Sequence, residues 1–95
     1  MYVRVVRFTG VDSDRMDSML GRINESDGPP EGVPATGIKV LHDADNGTAV
    51  VLQYYASAED MQTGDRVFNE MDAADTPGTR ESVDMCELKL ELEAP

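Results

Sequence analysis

The run Thr48 to Ala56, TAVVLQYYA, constrains this chain more than any other stretch. Side chains of a strand alternate between its two faces. Val50, Leu52 and Tyr54 fall on one side, and Ala49, Val51, Gln53 and Tyr55 on the other. Both faces are largely apolar, so both need cover. The opening segment Tyr2 to Thr9 has the same character, with Tyr2, Arg4, Val6 and Phe8 on one parity and Val3, Val5 and Arg7 on the other. It reads as a central strand. The chain has 95 residues, one small domain spanning 1–95. A domain of this size buries roughly 60–68% of the surface its unfolded chain exposes, so covering two sheet faces from its own length is demanding.

The remaining segments divide clearly. Met16, Met19, Leu20 and Ile23 recur at the spacing of one helix face, which predicts a helix over 13–25, capped by Asp12 or Ser13. Gly21 inside it weakens the helix unless close packing needs the missing side chain. DGPPEGVPA, residues 27–35, is a proline- and glycine-rich loop. Thr36 to His42 predicts a second strand, joined by a hairpin at Asn46-Gly47, where both residues tolerate positive φ, to the Thr48 strand. Ser57-Ala-Glu-Asp60 predicts the start of a second helix, with Met61, Gly64, Val67, Phe68 and Met71 buried and Glu59, Asp60, Asp65, Arg66 and Glu70 in solvent. Asp75-Thr-Pro-Gly78 reads as a turn. In the last segment, Arg80 to Glu93, Val83 and Met85 share one parity, whereas Cys86, Leu88, Leu90 and Leu92 share the other. That slip predicts a bulge near Met85-Cys86, or a strand serving two environments.

Strand, helix, strand, strand, helix, strand is the ferredoxin-like βαββαβ order of an α+β fold: a four-stranded antiparallel sheet with two helices on one face. The helix-free face is then too apolar to stay in water, and an identical chain related by a two-fold axis is the simplest cover. The expected partner is a second copy, giving a homodimer with facing sheets. The passages VRVVRFTG, VVLQYYASAEDM and SVDMCELKLEL resemble the dimeric α+β barrel superfamily, and within it the antibiotic-biosynthesis-monooxygenase-like group. The resemblance implies an α+β barrel dimer. For activity it implies cofactor-free oxygenation of polycyclic phenols, haem degradation, or no established reaction.

Charge narrows the partners. With 8 Lys+Arg against 19 Asp+Glu the formal net charge is -11, which disfavours nucleic acid and anionic membranes as partners. A single cysteine and an N-terminal segment without an apolar core suggest an unexported, cytoplasmic protein. No cysteine–histidine spacing of a zinc site or acidic spacing of a calcium loop is present, so no metal and no cofactor are expected. Cys86 reads as a small buried hydrophobe. Haem-degrading relatives use asparagine, tryptophan and a ligating histidine, whereas this chain has no tryptophan, and its one histidine, His42, abuts the acidic hairpin as a solvent-facing residue. Cofactor-free oxygenation needs a water-excluding cavity with a base or an oxyanion stabiliser. The candidate pocket residues are Arg4, Gln53 and Tyr55, read as projecting from the sheet face opposite the helices, with Arg7 as the alternative and His42 as a fourth candidate. The leading expectation is a homodimer that binds a small hydrophobic or aromatic ligand between sheet and helices or in the barrel. A cofactor-independent monooxygenase acting on an aromatic phenol is the alternative, and haem binding the third.

Overall fold

A computed structural model of the chain describes residues 1–25, 29, 31–70 and 78–94. The elements run β1 (Tyr2–Thr9), α1 (Ser13–Glu25), β2 (Gly37–Asp43), β3 (Thr48–Tyr55), α2 (Ala58–Asn69) and β4 (Thr79–Glu87). The four strands form one antiparallel sheet in the order β2-β3-β1-β4, the ferredoxin-like arrangement with β1 central. The proposed α+β fold is therefore the fold observed. Met71 and residues 75–77 of the expected turn lie outside the described residues, as do parts of the 27–35 loop.

Local chemistry sets the boundaries. Asp12 is the cap of α1: its Oδ1 accepts the Arg15 N–H at 2.8 Å, and its carbonyl accepts the Met16 N–H at 3.0 Å. Ser57, with extended backbone, caps α2 by accepting the Asp60 N–H on its Oγ at 3.1 Å. The β2–β3 hairpin forms, but its turn differs from the expected one. Only Gly47 takes positive φ, +65°, and Asn46 does not; instead Asp43 accepts the Asn46 backbone N–H at 3.2 Å and side-chain Nδ2 at 2.7 Å. A four-residue loop stabilised by an Asp side chain thus replaces a two-residue turn. Those hydrogen bonds hold the Asp43 carboxyl below its ordinary value of 3.8.

The final strand requires two corrections. The register shift falls between Arg7 and Phe8, which pair with Ser82 and Arg80, so the extra residue is Glu81 and not one near Met85-Cys86. Strand pairing also stops at Glu87. Beyond it the Leu88 N–H donates to the Met1 carbonyl at 2.9 Å, and Leu90 and Leu92 stand 73% and 80% exposed. The alternating leucines of that segment have the pattern of a strand without a strand partner in the single chain.

The core lies between the sheet and the helices. Val6, Phe8, Ala49 and Val51 of the sheet pack with Met16 and Met19 of α1 and with Val11, while Ile23, Val40 and Val83 close the margin. Leu20, expected in the apolar stripe, is exposed. A second, smaller cluster joins Val33, Tyr55 and Met61 to Tyr2, Val67 and Phe68. The opposite face carries Val3, Val5, Val50, Leu52, Tyr54 and Leu41, with no helix over it among the described residues. Cys86 shares this face and is exposed, a correction to its expected burial: as Val3's partner in β4 it points away from the helices.

Candidate functional site

Arg4 sits in the middle of the central strand, on the same side as Val6 and Phe8. It therefore faces the helices, not the open side expected from sequence. Its partner across β3 is Gln53, and Tyr55 follows on the same face. All three candidates do come together, but between sheet and α2. Arg4 follows Val6 and Phe8 to the helix side, and Asp65 supplies its counter-charge there. This residue, expected in solvent, lies on the inward edge of α2, and its Oδ1 accepts the Arg4 Nε–H at 2.8 Å. A charge on the helix side makes burial of the guanidinium tolerable.

The geometry is tight around that pair. Arg4 is 1% exposed, whereas the Asp65 side chain keeps 27% of its surface. Arg4 Nη1 donates to Gln53 Oε1 at 3.1 Å, and the Tyr55 hydroxyl donates to the same oxygen at 3.4 Å. The Phe68 ring stacks against the guanidinium, 5.1 Å from Arg4 Cζ to the ring centroid. Asn69 Nδ2 donates to Asp65 Oδ2 at 3.2 Å, and Arg80 Nη1 donates to Asn69 Oδ1 at 2.7 Å. The chain of contacts thus links β1, β3, α2 and β4. One donor group is left over: Arg4 Nη2 is buried and has no hydrogen-bond partner among the described residues. A sealed donor of this kind costs about 1–3 kcal/mol unless something accepts from it.

Gly64 makes the arrangement possible. A Cβ at this position would overlap the Tyr55 hydroxyl and ring, so α2 approaches the sheet closely only because residue 64 has no side chain. Tyr55 is fully buried, and that burial pushes its phenol above the ordinary 10.0; nearby Arg4 opposes the shift and Asp65 adds to it. The hydroxyl therefore stays protonated at neutral pH and acts as a donor.

His42 is elsewhere. It pairs with Ala49 at the hairpin end of the sheet, roughly 13 Å along the strands from the Arg4–Gln53 rung. Its Nε2 lies 3.0 Å from the Val11 carbonyl, which as an acceptor requires this nitrogen to donate. His42 is half-buried and fastens the β1–α1 turn, where the Val11 N–H also donates to the Gly47 carbonyl at 2.8 Å. Arg7 lies on the open face, exposed. Among the described residues no cluster of three or more metal-ligating side chains occurs, and no helix is long and apolar enough to cross a membrane.

Sequence reasoning missed Asp65 and Phe68 as site residues. A signal for them was present: a glycine inside the buried stripe of an amphipathic helix marks a close approach, and residues beside it are brought against whatever is approached. The chain matches no family model, no curated protein and no solved structure in the three comparisons made.

Proposed function

We propose that this protein is a homodimer of the dimeric α+β barrel kind that binds a small hydrophobic ligand in the layer between its sheet and α2. The observation that carries the ligand reading is the sealed Arg4 guanidinium with Nη2 unpartnered, lying against the Phe68 ring, which belongs to the apolar cluster that also holds Val67 and Met61. Binding sites combine an apolar wall with a few placed polar groups, and this layer has both. Proton transfer has less support. Tyr55 keeps its proton, and the Asp65 carboxylate is engaged by Arg4 and Asn69, so the groups that a phenol-oxidising site would use as a base are committed. The haem reading has less support, since the one histidine, His42, lies at the hairpin end of the sheet with its Nε2 against the Val11 carbonyl.

Self-association draws on the open face. Its apolar row is flanked by Arg7, Lys39, Asp43 and Asp84, two basic and two acidic residues that cancel, in a chain whose total is -11. This is the part of the surface on which two copies meet without like-charge repulsion. Leu41, already 53% exposed, is the residue to change: Leu41→Glu leaves the fold intact and separates the protomers. Light scattering after gel filtration is expected to give twice the chain mass for the parent and the single mass for Leu41→Glu; a parent that is monomeric at micromolar concentration overturns the dimer. For the ligand, amide shifts are followed while 2-isopropylnaphthalene is added. Perturbations centred on Arg4, Gln53, Tyr55 and Phe68 support the reading, and perturbations confined to the open face refute it.

A further inference from the structure

We infer that the layer between β1, β3 and α2 selects ligands carrying a neutral oxygen acceptor, a ketone- or aldehyde-type carbonyl on an apolar body, with Arg4 Nη2 as the donor. This rests on the ligand reading above and adds the chemical class of the head group. Three of the five guanidinium N–H donors are on Nε and Nη1, which already serve Asp65 and Gln53. The two on Nη2 are unserved and sealed from solvent. The two N–H bonds of this planar nitrogen diverge by about 120°, so a single neutral oxygen accepts one of them in line.

The charge of the head group follows from what surrounds it. Arg4 contributes one positive charge and Asp65 one negative, and the two are joined at 2.8 Å. Gln53 is neutral, and Tyr55 is a protonated phenol. The cluster is therefore already balanced. A carboxylate or phosphate placed on Nη2 would bring an uncompensated negative charge into a buried layer, an expensive step, inside a chain of net charge -11 that repels anions on approach. A cationic head group would meet the guanidinium itself. A carbonyl brings no net charge, accepts a charge-assisted hydrogen bond, and leaves its hydrocarbon to Phe68, Val67, Met61 and Val33.

Three probes of one shape separate the possibilities: 2-acetylnaphthalene, 2-naphthoate and 2-isopropylnaphthalene. The chain has no tryptophan, so naphthalene emission reports binding without interference from indole. The ketone is expected to bind about tenfold or more tightly than the hydrocarbon, the scale of one charge-assisted hydrogen bond, and more tightly than the carboxylate. In Arg4→Met the preference of ketone over hydrocarbon falls to within about twofold, because a flexible apolar side chain replaces the stem and removes the donor. The ranking on the parent protein decides the matter even if that variant does not fold, and the arginine side-chain nitrogen resonances of the parent should shift with the ketone alone. Equal binding of ketone and hydrocarbon overturns the head-group inference and leaves the ligand reading standing. The same is true if naphthoate binds most tightly. If none of the three binds, both fall, and the Nη2 group is satisfied by water alone.

Discussion

The layer between sheet and helices has two ends, and they are built differently. At the α1 end, Val6, Phe8, Ala49 and Val51 meet Met16 and Met19, and every group is apolar. At the α2 end, the next rungs of the same two strands present Arg4, Gln53 and Tyr55 to Asp65 and Phe68. The strands, the face and the fold are common to both; only the side chains differ. An apolar end needs no partner chosen in advance, since any close fit of hydrocarbon stabilises it. The polar end holds only while each group has its own partner, and Arg4 Nη2 has none among the described residues. The α1 end is closed by hydrocarbon alone, whereas the α2 end buries charged and polar groups and, among the described residues, leaves the donor Arg4 Nη2 over.

The sharpest test of this contrast is Asp65→Ala. It leaves a guanidinium at 1% exposure without its counter-ion and is expected to cost about 3–5 kcal/mol in urea unfolding. Arg4→Met should cost clearly less, because the carboxylate it strands retains 27% of its surface and can be hydrated. Equal losses for the two would mean that the pair is buried evenly and that the asymmetry described above is absent. At the other end, Met16→Ala is expected to lose about 2–3 kcal/mol by leaving a cavity. Combined with Asp65→Ala the losses should add to within about 0.5 kcal/mol, since the two sites belong to separate clusters; strong coupling would merge the two ends into one unit.

Alkaline pH probes the polar end by itself. The folded chain holds the Tyr55 proton more tightly than the unfolded chain does, so stability is unaffected below pH 10 and falls as pH rises above it. Tyr55→Phe should remove that part of the alkaline loss, which a comparison of unfolding midpoints at pH 8 and pH 11 would reveal. The helices' two glycines should respond in opposite directions. Gly21→Ala meets nothing within 4 Å and should add about 0.5–1 kcal/mol, whereas Gly64→Ala collides with Tyr55 and must destabilise. A stabilising Gly64→Ala would show that α2 can shift outward freely.

Elements were legible in the sequence because their signals are local. The alternation in YVRVVRFT, the Met16-Met19-Ile23 spacing, and the Ser57 cap each depend on a few adjacent residues, and β1, α1 and the start of α2 lie where those signals put them. The side on which Arg4 lies was not legible. Taken alone, a charged residue on a strand belongs in solvent, and Arg4 and Arg7 have opposite parity, so local pattern favoured neither. Val6 and Phe8 carry Arg4 to the helix side with them, and the counter-charge that meets it there comes from Asp65, 61 residues away, through a contact that no window of sequence contains. The phase slip in the last strand was visible and had two explanations, a bulge near Met85-Cys86 or a strand serving two environments. Pairing runs unbroken from Ser82 to Glu87, with Val83 toward the helices and Cys86 on the other face, which fits the second. The backbone irregularity is at Glu81, where parity among charged residues carries no signal. Cys86 was read as buried from its residue type, and the single chain leaves its face open.

The position of β1 also governs how the chain acquires its structure. β1 is made first, yet it pairs with β3 on one side and with β4, residues 79–87, on the other. Its second edge therefore has no β4 to bond with until residues 79–87 have emerged from the ribosome, and closing so long a loop is slow. Until then a Val-rich strand stands with an unsatisfied edge, the situation in which chains aggregate or recruit a chaperone. Synthesis in the host should accordingly be most vulnerable to stalling or truncation between α2 and β4, and a separately supplied β4 peptide is the reagent expected to rescue a chain that stops there.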